Sequence, residues 1–380
     1  MPLKTNFVMI KKIATLILIA STSINAQERC GTEAITKRRM EIYPQYRIAR
    51  EKVNTQTEQR IGNHPNYSEK TIITIPVVVH VVWNTSAQNI SDAQIQSQID
   101  VLNKDYRRTN IDVINTPSVW QAIAADCEIE FCLATTDPNG QPTTGITRTQ
   151  TTHGPFGMEN DIHTSSLGGK DDWPNDDYLN IWVCNISSGL LGYATPPSNW
   201  IGDGDGLVIG YRYFGTTGTL SPPYNKGRTA THEIGHWLNL EHLWGAWGSC
   251  GNDQVSDTPK QETENYSCPG FPLNINACST TNTNGDMFMN YMDYTNDACM
   301  NLFTAGQKTR MLAAINQYRP NMLSHNLCSG TTSILETKST KKELVKIIDI
   351  LGRETNRQHS NTPLFYIYDD GSVEKKIIIE

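Results

Sequence analysis

Eleven residues, His232 to His242, read HEIGHWLNLEH and constrain this chain more than any other stretch. On an α-helix His232 and His236 lie one turn apart on one face, so both imidazoles can reach a single Zn²⁺ at about 2.0–2.1 Å. Glu233 then stands beside them, placed to face a water at the metal rather than the metal itself. His242 comes six residues after His236. Along a straight helix it would lie about 9 Å further on and point away. It can join the other two only if the chain turns back, which asks for a residue at positive φ. In the extended form of this motif that residue is Gly; here it is Asn239, whose short amide tolerates the left-handed region better than other side chains. Zinc brings the pKa of a water in its open position towards ~7, and a nearby carboxylate can take the proton as the oxygen attacks a carbonyl carbon. With His at 9 of 380 positions, chance gives this pattern roughly a few times in ten thousand, so a core helix with incidental histidines is the poorer reading.

The remainder of the chain sets limits on the setting. A net charge of −7 and a pI near 5.7 argue against a nucleic-acid partner, which would need a basic face to displace counterions from phosphates. Residues 1–26 have the pattern of a signal peptide: Lys4, Lys11 and Lys12 precede the apolar run IATLILIA, and Ala26 closes a small-residue stretch. Eight apolar residues are too few to hold in a ~30 Å hydrocarbon core, so export and removal are expected rather than anchoring. Residues 27–59 are charged and lack a strong apolar period, which suits a pro-segment or linker. The catalytic domain is expected over 60–328 and a small β module over 329–380, where FYIY alternates and a DDG turn follows.

Within the central part, the β-branched run IITIPVVVHVVW at 72–83 predicts a buried strand, with His80 as a core histidine. Ser91 and Gln94 form a capping-box pattern before Ile95, Ile99, Leu102 and Tyr106, predicting an amphipathic helix over 92–107. Strands are predicted at 128–134, 178–184 and 206–213, and a second capped helix opens at Thr304 and Gln307. The alternation predicts a mixed α/β half. Nine cysteines in an exported chain suggest disulfides, and the odd count leaves at least one thiol over. Cys250, Cys268, Cys278 and Cys299 lie in a Gly-, Asn- and Ser-rich region, where spacing alone leaves three pairings open. Cys127 and Cys132 are expected as reduced core thiols, and no pattern assigns Cys184 or Cys328.

From IPVVVHVV through SDAQIQSQIDVLNKDYRR, YLNIWVC, HEIGHWLNLEHLWG, VSDTP and NYMDYTNDACM, about residues 72–318, the chain resembles the metzincin clan and within it the pappalysin-like (cytophagalysin, ulilysin-type) metalloproteases. The resemblance implies an α/β (α+β) zincin. Its sheet is twisted, mixed and five-stranded, with backing and active-site helices, over an irregular, disulfide-linked C-terminal subdomain. It implies a zinc endopeptidase acting on proteins or peptides, with Glu233 as general base and Met292 as the Met-turn floor. Tyr294 is implied as a donor to the oxyanion, and Asp297 as the acidic base of an S1′ pocket that prefers Arg or Lys. It further implies calcium at Asp253, Asp257, Thr258 and Glu262, and the pairs Cys250 with Cys278 and Cys268 with Cys299. Cys30, in the sequence RCGT, resembles the family's cysteine switch, whose thiolate would take the metal's open position and keep a zymogen latent. An acidic S1′ pocket would also suit maturation by the enzyme itself between Gln59 and Arg60. The last fifty residues are similar to C-terminal sorting domains of the type IX export system of Bacteroidetes, so export machinery is an expected partner at both ends. The rival reading is a secreted, zinc-stabilised binding or adhesion protein without turnover; Glu233 speaks against it, because a structural zinc site needs no base.

Overall fold

The computed structural model describes residues 29–63, 72–187, 189–198, 204–245, 249–278, 282–328, 344–355, 363–368 and 373–377. The expected signal peptide, the linker Ser329 to Thr332 and the turn at 369–371 lie outside the described residues. The helices are α1 (Thr32–Ile42), α2 (Pro44–Asn63), α3 (Asp92–Tyr106), α4 (Ser118–Gln121), α5 (Arg228–Trp237) and α6 (Ala305–Tyr318). The strands are β1 (Ile73–Trp83), β2 (Ile129–Leu133), β3 (Ile146–Gln150), β4 (Leu179–Cys184), β5 (Gly192–Ala194), β6 (Gly206–Gly210), β7 (Leu344–Ile348), β8 (Pro363–Tyr368) and β9 (Val373–Ile377).

The main sheet runs β2-β1-β4-β6-β5, with only β5 antiparallel to its neighbour. It is five strands wide but holds six, because β1 is long enough to take two partners along one edge. β2 pairs with Ile73 to Val77, and β3 pairs with Val79 to Trp83. β3 and β5 are short and lack an apolar run, which is why sequence pattern passes over them. The run predicted for 206–213 ends as a strand at Gly210 and tightens into a 3-10 turn over Tyr211–Tyr213.

β1 and β4 are buried almost throughout, as parallel strands covered on both faces must be. α3 and α5 are tied together by Tyr106, whose hydroxyl donates to Thr231 O at 3.0 Å, and by Gln98, whose amide donates to Gly227 O at 3.0 Å. Ser91 caps α3 by accepting from the Gln94 backbone N–H. The Gln94 side chain does not close the predicted box; it donates instead to the carbonyls of Tyr211 and Phe214. At α6 the box between Thr304 and Gln307 is complete.

The segment 27–59, expected as a pro-segment or linker without a strong apolar period, is largely helical over its described residues 29–59. α1 and α2 are separated only by Tyr43, and α2 runs through residue 60. They have no apolar stripe, because polar contacts with the rest of the chain hold them. Arg310 donates to Asn54 Oδ1 at 2.7 Å, Arg50 donates to Pro197 O at 2.7 Å, and only Tyr46 and Val53 supply large, fully buried apolar groups to α2's inner side.

Three disulfides form, Cys250–Cys278, Cys268–Cys299 and Cys132–Cys328, with Cα–Cα distances of 5.5, 5.7 and 5.8 Å. The first two are the pairs implied by the resemblance. The third corrects the expectation that Cys132 stays reduced. β2 carries Cys132 to where the chain returns after α6, and Leu327 O accepts from Thr135 N there. The closure spans 196 residues, a proximity that no local spacing reveals. Cys30, Cys127 and Cys184 are free and buried. β7, β8 and β9 form a separate antiparallel sheet. No helix among the described residues is long and apolar enough to cross a membrane.

His80 is fully buried in β1. Its Nε2 lies 2.9 Å from Asn180 Oδ1, which also accepts from Trp173 N, so Nε2 carries the proton and Nδ1 accepts from Thr147 Oγ1 at 2.8 Å. Burial lowers its pKa from 6.5 to about 4. The unfolded chain therefore takes up this proton first. The stabilisation is complete above about pH 6.5 and is lost as pH falls towards 4, by about 2 kcal/mol between pH 7 and 5. Denaturant unfolding at the two pH values should show a loss smaller by that amount in His80→Gln; equal losses in both proteins would contradict the assignment.

Candidate metal centre

α5 begins at Gly227, which has φ +77°, and ends in a Schellman turn. Leu240 N donates to Gly235 O at 2.9 Å, Asn239 N donates to His236 O at 2.9 Å, and Asn239 itself sits at φ +72°. This is the reversal that brings His242 back. The three Nε2 atoms lie 3.0, 3.1 and 3.2 Å from one another. Nδ1 of His232 and of His236 each faces a backbone carbonyl that can only accept, Tyr291 O at 2.7 Å and Leu240 O at 2.8 Å, and Nδ1 of His242 lies 2.5 Å from Glu33 Oε1, a carboxyl oxygen that accepts when ionised. The ring protons of His232 and His236 are therefore on Nδ1, so their two Nε2 lone pairs converge, and an ionised Glu33 turns the Nε2 lone pair of His242 onto the same point. Burial lowers the pKa of all three, His236 and His242 to about 3, so protonation does not relieve the crowding. A cation does, and the donor set and spacing suit tetrahedral zinc.

Cys30 Sγ is the fourth member: it and the three imidazole nitrogens all lie within 4.8 Å of one another, and all four residues are buried. Burial and the neighbouring Glu233 push the thiol's pKa well up, so only a cation in the cluster would favour its thiolate. Glu233 is fully buried, with Oε2 accepting from Thr32 Oγ1 at 2.9 Å and from Cys30 Sγ at 3.3 Å. Its Oε1 has no hydrogen-bond partner among the described residues. Burial raises its pKa to about 7.

Residues 29–32 reach the cluster by adding to the sheet's edge. Leu191 N donates to Arg29 O at 3.2 Å, Gly31 N donates to Gly192 O at 2.9 Å, and Ala194 N donates to Thr32 Oγ1 at 2.8 Å. Arg29 is fully buried. Its guanidinium donates to Thr295 O and lies 3.4 Å from Asp297 Oδ1. Asp297 Oδ2 accepts from Lys226 N at 2.8 Å and Arg228 N at 3.3 Å. Tyr294 donates its hydroxyl to Cys30 O at 3.4 Å, and its ring meets that of His242 edge-on at 5.0 Å. Met292 is fully buried under α5, and a Cβ on Gly235 would run into its sulfur, so the glycine between the histidines is what lets the methionine approach.

Sequence reasoning assigned no role to Trp244, which stacks on His242 with ring centroids 4.4 Å apart, or to Arg29, Thr32 and Glu33. Arg29 and Thr32 flank Cys30 in the quoted RCGT, the one signal that could have found them. Of the residues expected at calcium, the carboxylates of Asp253, Asp257 and Glu262 do not gather their oxygens within 4.8 Å of one another. Asp257 is taken up by the N-terminus of α6, accepting from Thr304 Oγ1 at 2.6 Å and Gly306 N at 2.8 Å. Asp253 accepts from Thr258 Oγ1 at 2.7 Å in a local turn, and Glu262 is exposed. Among the described residues, the His/Cys cluster is the one group of three or more such side chains with converging ligand atoms.

Asn239 ties the turn to α2. Its Oδ1 accepts from Arg50 at 3.1 Å and its Nδ2 donates to Thr57 Oγ1 at 3.2 Å. Asn239→Gly should keep the positive φ and full zinc content. Asn239→Val should lose zinc, because a β-branched residue resists that conformation. Metal analysis checks both; zinc loss in the glycine variant would contradict this account of the turn.

The family described as pregnancy-associated plasma protein-A matches residues 163–316. An extracellular metalloprotease of Arthroderma otae is 31% identical over 253 residues, 65% of this chain and 79% of its own length. One of Neurospora crassa is 27% identical over 326 residues, covering 83% and 98%. Among solved structures, a Tannerella forsythia promirolysin mutant superposes with a TM-score of 0.70 at 49% identity, covering 78% of this chain and 97% of that one. Mature mirolysin with a cleaved peptide gives 0.64 at 52% identity, covering 68% and 98%.

Proposed function

From the premise that this chain belongs to the pappalysin-like metzincins and is a secreted zinc metalloendopeptidase, we propose that it is made as a latent zymogen that, once matured, cuts before Arg or Lys. The observation that carries this reading is one short segment filling two places together: Cys30 completes the histidine cluster while Arg29 pairs with Asp297.

His232, His236 and His242 would hold the zinc, which when bound polarises a peptide carbonyl and acidifies water. The chain's own groups do the rest. Glu233 has its Oε2 occupied by Thr32 and Cys30; departure of that segment frees the carboxylate to accept a proton from the attacking water. The same carboxyl then delivers the proton to the amine as the C–N bond breaks. Tyr294 already donates to a backbone carbonyl in the cleft, the role a donor to the tetrahedral oxyanion requires. Met292 packs beneath and keeps water from the underside, and Asp297 receives a basic side chain just after the scissile bond.

The cut between Gln59 and Arg60 falls within α2, so the last turn of that helix must open first. A filled cleft cuts nothing, so the first cut is made by a copy whose residues 29–32 have lifted, acting on another copy, and its rate should rise with protein concentration. Residues 1–26 and 329–380 would be export signals, trimmed from the mature enzyme. Calcium at Asp253, Asp257, Thr258 and Glu262 is a separate proposal, resting on several oxygen-bearing side chains in one short loop, which suit a hard cation.

A peptide-library digest by the matured enzyme tests the reading, with intact mass fixing both termini. Cleavage before Arg and Lys, abolished by phenanthroline, is expected. Cleavage indifferent to the primed residue would remove the specificity. A mature N-terminus far from 60 would remove the maturation site, and a thermal midpoint unmoved by EGTA would remove calcium.

A further inference from the structure

Asp297 by itself explains a basic preference but not a choice between the two basic side chains. One of its oxygens is committed to the backbone N–H groups of Lys226 and Arg228, leaving Oδ1 for the ligand. The contact to Arg29 is 3.4 Å, longer than the 2.7–2.9 Å of a tight charge-assisted pair, and an ammonium could make it equally well. Two other features of the pocket together suit a flat cation, which can make both at once. Arg29 donates a second N–H to the Thr295 carbonyl, and its central carbon lies 5.3 Å from the centroid of the Tyr224 ring. Tyr224 is 9% exposed, and Tyr213 meets its ring edge-on at 6.4 Å.

Resting on the reading of Asp297 as the base of the S1′ pocket, with Arg29 standing in for a substrate side chain, we propose that Tyr224 makes this pocket select arginine over lysine. The ring offers a face to the guanidinium while the in-plane N–H groups go to Thr295 O and Asp297. An ammonium has no plane: turned to the carboxylate and the carbonyl, it gives up the ring. Tyr224 lies in the turn that precedes α5, so the selecting wall and the zinc helix are built by one continuous segment.

The experiment uses matured enzyme and two peptides that differ only in Arg or Lys after the scissile bond. Wild type should favour Arg in kcat/KM. Tyr224→Leu and Tyr224→Met should each reduce the Arg-to-Lys ratio by about tenfold, and Tyr224→Phe should preserve it. An unchanged ratio in the non-aromatic variants, or a ratio near one in wild type, overturns the role of Tyr224. A wild-type enzyme with no basic preference fails at the earlier step, the reading of Asp297, so the two failures are distinguishable. If the non-aromatic variants do not mature, the full chain supplies a second reading. Arg29→Lys should speed alkylation of Cys30 in the wild-type background and not in Tyr224→Leu; equal acceleration in both overturns the proposal.

Discussion

Glu233→Gln, matured by added protease, is expected to keep its zinc and lose peptide hydrolysis by about a thousandfold. The histidine cluster does not use Glu233: none of the three imidazoles bonds to it, and each Nδ1 is held by another oxygen. The amide is nearly the same shape as the carboxylate but cannot take a proton from water. Full length and unmatured, the variant should remain folded, because Thr32 still finds an acceptor in the amide oxygen. Zinc content by atomic absorption and turnover of a fluorogenic peptide separate the two effects. Hydrolysis within tenfold of wild type would show that another group is the base, and loss of zinc would show that Glu233 organises the cluster.

Arg29→Ala in the full-length chain should produce peptide hydrolysis before any cut is made. Asp297 is fully buried and Arg29 is the one side-chain cation paired with it among the described ion pairs. Removing the guanidinium leaves a buried carboxylate with only backbone partners on one oxygen, a loss of about 3–5 kcal/mol for docking the segment over the cleft. That corresponds to a release of residues 29–32 increased by about two to almost four powers of ten. Cys30→Ala should act in the same direction through the metal cluster. Activity of uncut protein, with a gel to show that residues 29–59 remain attached, is the measurement; an uncut Arg29→Ala protein as silent as wild type would end the latency reading.

How much of this was legible beforehand follows the range of the interactions. β1, α3, β4 and α6 were visible because each carries its own period or cap, from the VVVHVV run to the Thr304 and Gln307 box. α1 and α2 were not, since their hold on the rest of the chain is polar and scattered, through Arg50, Asn54 and Thr57. The residues expected at calcium are close in sequence, yet Asp257 also serves α6, some fifty residues on, because the first-turn N–H groups and positive end of a helix attract a carboxylate even beside a complete capping box.

The spacing of HEIGHWLNLEH determined by itself that two histidines share a helical face, that a carboxylate stands beside them, and that a third histidine can return only through a left-handed residue. Those are consequences of helix geometry and need no other part of the chain. Tertiary structure alone decided which residues join Cys30 in filling the cleft, which partner orients each imidazole, and that Cys132 meets Cys328. Such contacts join residues up to 268 positions apart. Their partners are selected by where the packed sheet and helices leave an unpaired charge or lone pair, and a local pattern carries no record of that.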